Sequence, residues 1–259
     1  MGHVKQLCSR HAPGFLFLIA LAALWEFAAQ RANSASFPGA LQVLIALAHH
    51  GTDLVSEMAT SLWRAAVGLL LGIVTMLPLG ILIGRIKLLS DLFEPIFDFL
   101  RPLPALAIVP LAMIVAGVGS TAKILVIYYS VCFPIALSTI DAVKSAHPML
   151  SNVARSLRLS RRETMWEIDL PEALPKIMVG IRIAVAMAIL VSVSAEMLLS
   201  TDGIGYYIVR SQQQFQIALG LAAIVVIAVT ALIVNGMFRW SEERLLSWHY
   251  MRQAAASKH

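Results

Sequence analysis

The chain has 259 residues, of which 59% are hydrophobic and only 14% charged, against roughly 45–50% and about 25% in soluble domains; its mean hydropathy is +0.78. That apolar excess is too large for one water-enclosed core, which excludes a soluble globular domain, a disordered chain and a collagen-like repeat and leaves an all-α polytopic membrane protein. The net charge of +5 is then expected to reflect Lys- and Arg-rich cytoplasmic loops rather than nucleic-acid binding, and two cysteines, Cys8 and Cys132, give neither a disulfide framework nor a metal cluster.

At about 20 apolar residues per helical span, six spans are predicted, near Pro13–Gln30, Leu62–Gly84, Phe97–Val118, Lys123–Val143, Ile177–Leu199 and Ile217–Phe238. The first follows Lys5 and Arg10 like the apolar core of a signal peptide, but Glu26 and Arg31 argue for a retained helix. The segment Phe37–Glu57 places Leu41, Leu44, Ile45 and Ala48 on one helical face, as an interfacial helix does. In the second span Gly68, Gly72, Gly80 and Gly84 fall at multiples of four, the pattern of a close helix–helix contact, with a glycine-lined pore as the alternative. The third span carries Pro102, Pro104 and Pro110 and is expected to be bent or broken, with its freed carbonyls satisfied by protein or a cavity.

Counting basic residues by loop fixes the orientation. With Arg64, Arg101 and Arg182 left out as lying at or within span ends, one side receives Lys5, Arg10, Arg85, Lys87, Lys144, the arginines from 155 to 162, Lys176, Arg239, Arg244, Arg252 and Lys258; the other receives only Arg31, Lys123 and Arg210. Both termini are therefore expected in the cytoplasm. The chain is expected to form a single transmembrane domain over 1–259, with an N-terminal helix and exterior segment over 1–60, a core over 61–248 and a cytoplasmic loop over 144–176.

That loop is too long for a simple connection and reads as two short helices. Pro148 opens the first, along which Leu150, Val153, Ala154 and Leu157 recur at helical spacing. Ser160-Arg161-Arg162-Glu163 is a capping-box sequence for the second, which Pro171 and Pro175 are expected to close. In the fifth span, Glu196 lies near the exterior end and is either a gate or pathway carboxylate or a structural hydrogen-bond acceptor. Arg182 lies near the cytoplasmic end, where it can snorkel. The scattered His11, His49, His50, His147 and His249 form no metal or catalytic motif.

The run Asn152-Val153-Ala154-Arg155-Ser156-Leu157-Arg158, followed after nine residues by Ile168-Asp169-Leu170-Pro171, resembles the EAA loop of ABC-importer permeases. Further likenesses are Ser61-Leu62-Trp63-Arg64 with Gly68, Arg101-Pro102-Leu103-Pro104, Gly117-Val118-Gly119, Ala195-Glu196, Gly203-Ile204-Gly205 and Glu242-Glu243-Arg244. Together they resemble the nitrate/sulfonate/taurine type of permease from about Trp25 to Trp248. Two departures stand in the loop: Asn152-Val153 replaces the usual Glu-Ala, and Arg158 replaces the usual Gly.

The resemblance implies a type I importer permease fold and an ATPase-coupling loop carried by Ala154, Arg155, Ser156, Leu157, Arg158, Ser160, Arg161, Ile168, Leu170 and Pro171. Arg101, Pro102, Pro104 and Glu196 are the candidate pathway or gate residues. It also implies cytoplasmic ABC ATPase subunits, a periplasmic or lipid-anchored solute-binding protein, a permease homodimer and a site in the bacterial inner membrane, with membrane lipid as the surrounding partner and no nucleic acid. No cofactor is expected on this chain. Its nearest approach to a phosphate loop, Gly117 to Lys123, fails at Ala122 and Ile124, so ATP and Mg belong to the partner ATPase and the chain is not itself an enzyme. The rival, an ion-gradient-driven transporter or channel, would call for inverted repeats or several midplane carboxylates.

Overall fold

The computed structural model describes residues 17, 20–32, 37–145, 156–160 and 163–247. These are helical throughout their regular structure: α1 (20–32), α2 (Ala40–Arg85), α3 (Lys87–Leu100), a short 3-10 turn (Ala105–Ile108), α4 (Val109–Ala116), α5 (Ser120–Lys144), a π-helical stretch (Thr164–Asp169), α6 (Leu170–Leu199), α7 (Ile204–Gln213) and α8 (Ile217–Leu245). Among the described residues, α2, α5, α6 with its π-helical lead-in, and α8 are long and apolar enough to cross a membrane. The pair Lys87–Leu100 and Ala105–Ala116, bent by 89°, adds a fifth crossing if it is one span. α1 overlaps the first expected span and runs two residues past its end; the span's beginning lies outside the described residues.

Three boundaries differ from expectation. The interfacial segment and the second span are one helix of 46 residues. At 1.5 Å per residue this is about 69 Å, twice the thickness of a hydrocarbon core, so part of α2 must extend beyond it. Nothing between Ala40 and Leu62 breaks the ladder, since Gly51 alone costs only about 1 kcal/mol, and Leu41, Leu44 and Ile45 remain an exposed apolar face.

The third span is broken, but Pro110 is not a breaker. It occupies the first turn of α4, where an absent N–H costs nothing. The corner is made by Pro102 and Pro104, which interrupt the donor series after Leu100. The freed Leu100 carbonyl accepts hydrogen bonds from Leu103 N–H at 3.1 Å and from Tyr129 Oη at 2.7 Å.

Pro171 and Pro175 do not close a coupling helix. Pro171 stands in the first turn of α6 and Pro175 inside it, and the helix runs unbroken from Thr164. The wider π-helical turn just before them re-registers the carbonyls at the point where proline removes donors.

The centre of the bundle is α5, buried on most sides between α2 and α6. Gly68, Gly72, Gly80 and Gly84 all face it: a Cβ at Gly72 would stand 2.6 Å from Val131 Cγ2, and one at Gly80 would stand 2.8 Å from Thr139 Cβ. The absence of side chains along this stripe lets the two backbones approach, and Ile127, Val131, Ile135 and Ala136 fill the space. A smaller aromatic cluster holds α3 on α5, with Phe97 and Tyr129 each edge-on to Phe133 at 6.3 and 4.9 Å.

Candidate functional site

Two constellations stand at opposite ends of the bundle. The first lies where α5 begins and α6 ends. Glu57, Ser61 and Arg64 fall on one face of α2 at helical spacing, one turn before the glycine stripe. Arg64 and Glu196 are 1% and 0% exposed and pair through Nη1 and Oε1 at 2.7 Å. The second carboxylate oxygen accepts from Ser61 Oγ at 2.6 Å and from Gly205 N–H at 3.2 Å. Arg64 also donates to Ser120 Oγ at 3.1 Å and to Asp202 Oδ2 at 2.5 Å. Asp202 Oδ1 accepts from Lys123 Nζ at 3.2 Å, and Lys123 reaches Ser200 Oγ at 2.6 Å. The buried pair of Arg64 and Glu196 thus meets the condition for holding charge out of water, with Lys123 and the half-exposed Asp202 extending it toward the surface.

Backbone geometry makes the close approach possible. Gly203 has φ +95°, and a Cβ there would collide with the Glu196 carboxylate. Its N–H donates to Glu57 at 2.6 Å, and Ile204 N–H donates to Ser61 Oγ at 3.0 Å. The loop after α6 is therefore stitched to α2 by bonds between its backbone and α2 side chains. Burial raises the Asp202 pKa, but the hydrogen bonds from Lys123 and Arg64 outweigh it and hold the carboxyl below its ordinary value.

Glu196 stands in this network with its oxygens taken by protein donors. Arg101, Pro102 and Pro104 are exposed at the mid-span corner and do not join it. The polar partners that sequence reasoning missed are Glu57, Ser61, Arg64, Lys123 and Asp202. The helical phase of 57, 61 and 64 with Gly68 was the signal available for the first three.

The second constellation lies at the other end. Residues 146–155 and 161–162 are outside the described residues, so the predicted first coupling helix, with Ala154 and Arg155, and Arg161 have no structural account. Ser156 and Leu157 are exposed, Leu157 at 65%, and Arg158 has φ +54°. The position where the resembled motif carries glycine is thus left-handed here, in a residue with a Cβ. That costs about 1–2 kcal/mol.

Directly after it, Glu163 Oε2 accepts from Ser160 N–H at 2.7 Å, while Ser160 Oγ accepts from Glu163 N–H at 3.2 Å. This is a reciprocal capping box, and it holds the Glu163 carboxyl below its usual range. Ile168 and Leu170 are half-buried, Pro171 opens α6, and Trp166 is exposed at 59%. Asp169 pairs with Arg85 at the end of α2. Lys144, at the end of α5, pairs with Glu94 of α3. The lead-in to α6 is thereby tied to α2 and the end of α5 to α3, while Leu157 and Trp166 are presented outward. No group of acidic, His or Cys side chains able to hold a metal occurs among the described residues.

Residues 76–247 match the family of binding-protein-dependent transport system inner membrane components. The Escherichia coli taurine transport system permease protein TauC is 34% identical over 193 residues, covering 74% of this chain and 70% of that one. The putative aliphatic sulfonates transport permease protein SsuC of Bacillus subtilis is 34% identical over 76% of this chain and 71% of its own length. The bicarbonate transport system permease protein CmpB of Synechococcus elongatus is 32% identical over 73% and 69%. The fold is similar to that of a chain in inward-facing structures of the MetNI methionine ABC transporter, with a TM-score of 0.61 at 20% identity over 75% of this chain and 94% of the other. The chain belongs to the family of binding-protein-dependent, ABC-type permeases and is a multi-pass membrane protein.

Proposed function

We propose that this member of the permease family is the membrane-spanning subunit of an ATP-driven importer for a small anion or anion-bearing organic solute of the sulfonate, taurine, nitrate or bicarbonate class. The observation that carries the coupling half of this reading is the segment around Arg158. A left-handed turn and a capping box present Leu157 and Trp166 to the outside, and the Arg85–Asp169 pair ties the same segment to α2. An ATPase seated on that turn would move α6 directly, because the helix continues without a break from Thr164 to Leu199. The substrate half rests on the relatives named for taurine, aliphatic sulfonates and bicarbonate.

In this reading the protein works as a pair of permease subunits in the bacterial inner membrane, with both termini and the 144–176 loop in the cytoplasm. ATP and Mg are bound by two separate ATPase chains. An exterior binding protein delivers the solute at the face carrying Asp202 and Lys123. The mid-span corner at Arg101, Pro102 and Pro104, with its exposed backbone, lines the pathway or the contact with the second permease, since an irregular segment at membrane depth is tolerated only against protein or water. Glu196 serves this pathway as a structural acceptor, holding the middle of α2, the exterior end of α6 and the start of α7 together. Proteoliposomes containing the permease, its ATPase and its binding protein test the proposal. Uptake of labelled taurine, an alkanesulfonate or bicarbonate should require internal-facing ATP and the binding protein. Uptake driven by an ion gradient without ATP would contradict it.

A further inference from the structure

Where the C-terminal end of α8 passes the middle of α6, an open cleft of about 520 Å³ is lined by Arg182, Arg239, Glu243 and Ser247. Arg182 pairs with Glu242, which is buried. Arg239 is exposed and takes part in no ion pair among the described residues, and neither does Glu243. Arg244 stacks its guanidinium 4.0 Å from the ring centroid of the exposed Trp240. With Arg182 and Glu242 cancelling, Arg239 and Arg244 exceed Glu243 by one positive charge.

Next to these residues along the two helices stand exposed apolar side chains. Val179 and Ile183 on α6 and Ile233 and Met237 on α8 are all exposed. Gly236 adds no side chain to this part of α8, and a Cβ there would meet nothing within 4 Å. A single positive charge, a hydroxyl and an indole at the rim, above a lipid-facing apolar wall, match a molecule with an anionic head and hydrocarbon tails.

We propose that this cleft is a binding site for an anionic phospholipid of the cytoplasmic leaflet. Its phosphodiester lies between Arg182 and Arg239, and its acyl chains run past Ile183 and Met237. A free phosphate or nucleotide would engage the guanidinium groups but leave the apolar wall unused. Guanidinium groups suit the head because their planar donor forks match phosphate oxygens. Assigning the site to the cytoplasmic leaflet rests on the orientation proposed above, but binding itself can be measured without any transport.

The experiment is native mass spectrometry of the purified permease in mild detergent, titrated with phosphatidylglycerol or phosphatidylethanolamine. Phosphatidylglycerol should be retained in preference to phosphatidylethanolamine. Arg239→Gln should weaken that retention by about fivefold, the worth of one basic side chain at a lipid surface, and Arg239→Lys should keep most of it. Millimolar inorganic phosphate should not compete. Equal retention of the two lipids by the unaltered protein would overturn the proposal, as would unchanged retention in Arg239→Gln or displacement by phosphate. So would loss of ATPase co-purification in that variant with lipid retention intact, which would make the cleft a subunit contact. The comparison between lipids uses the native chain and stands whether or not a variant folds.

Discussion

Arg64 on α2 and Glu196 on α6 are separated by 132 positions in the chain, yet their side chains meet at 2.7 Å with almost no exposure to solvent. Neither charge is affordable alone at that depth. Removing one member of such a pair leaves the other buried without a counter-charge and costs about 3–5 kcal/mol, whereas replacing both by apolar groups of similar volume is often neutral.

Arg64→Met and Glu196→Leu should therefore each lower the assembled yield and the melting temperature strongly. The double variant should recover a large part of the loss, because the penalty in each single variant is the stranded partner. Melting curves of the detergent-purified proteins check this. Additive losses in the double variant would mean that the two residues are independent.

Arg158 supplies a prediction of opposite sign. A left-handed residue with a Cβ is strained, and glycine adopts φ +54° without that penalty. Arg158→Gly should raise stability by about 1 kcal/mol, and Arg158→Val, β-branched at the same turn, should lower it. A fall in melting temperature for the glycine variant would argue for a helical residue at this position.

The glycine stripe has an internal control. Gly72→Leu should force α2 and α5 apart, since even a Cβ would press on Val131, and overpacking of this kind costs about 1–3 kcal/mol. Gly236→Leu, on the open face of α8, should leave the melting temperature nearly unchanged. Equal effects at the two sites would deny the close α2–α5 contact.

Asp202 sets a limit at low pH. Its folded pKa lies below the ordinary value of 3.8 because the hydrogen bonds of Lys123 and Arg64 prevail over burial. Its contribution to stability is thus present above about pH 4 and is lost as pH falls through the folded value. Melting temperatures measured from pH 7 down to pH 3 should fall less steeply at the acid end in Asp202→Asn than in the unaltered protein. An identical acid limb would remove Asp202 from the network.

The features legible in the sequence are those with local causes. The capping box at Ser160 and Glu163 is a four-residue pattern, and the phase of Gly68, Gly72, Gly80 and Gly84 follows from one helical period. The break at Pro102 and Pro104 follows from two missing donors. What escaped depends on partners distant in the chain. Arg64 reads as a residue near a span end until α6 and the loop at Asp202 are folded against it. Lys123 counts as an exterior loop charge, although it is buried and paired. The continuous helix through Pro171 and Pro175 was hidden for a different reason, because proline stops a helix by its own chemistry and only the preceding π-helical turn accommodates it.

In the function proposed above, the segment between α5 and α6 couples this permease to a separate ATPase. The most direct test reverses two charges of that segment together, Arg155→Glu with Arg161→Glu, and measures co-purification of the ATPase alongside membrane yield. The ATPase should be lost and ATP-driven uptake should fall with it, while yield and melting temperature stay near those of the unaltered protein. Unchanged co-purification and unchanged transport-coupled ATP hydrolysis would contradict it.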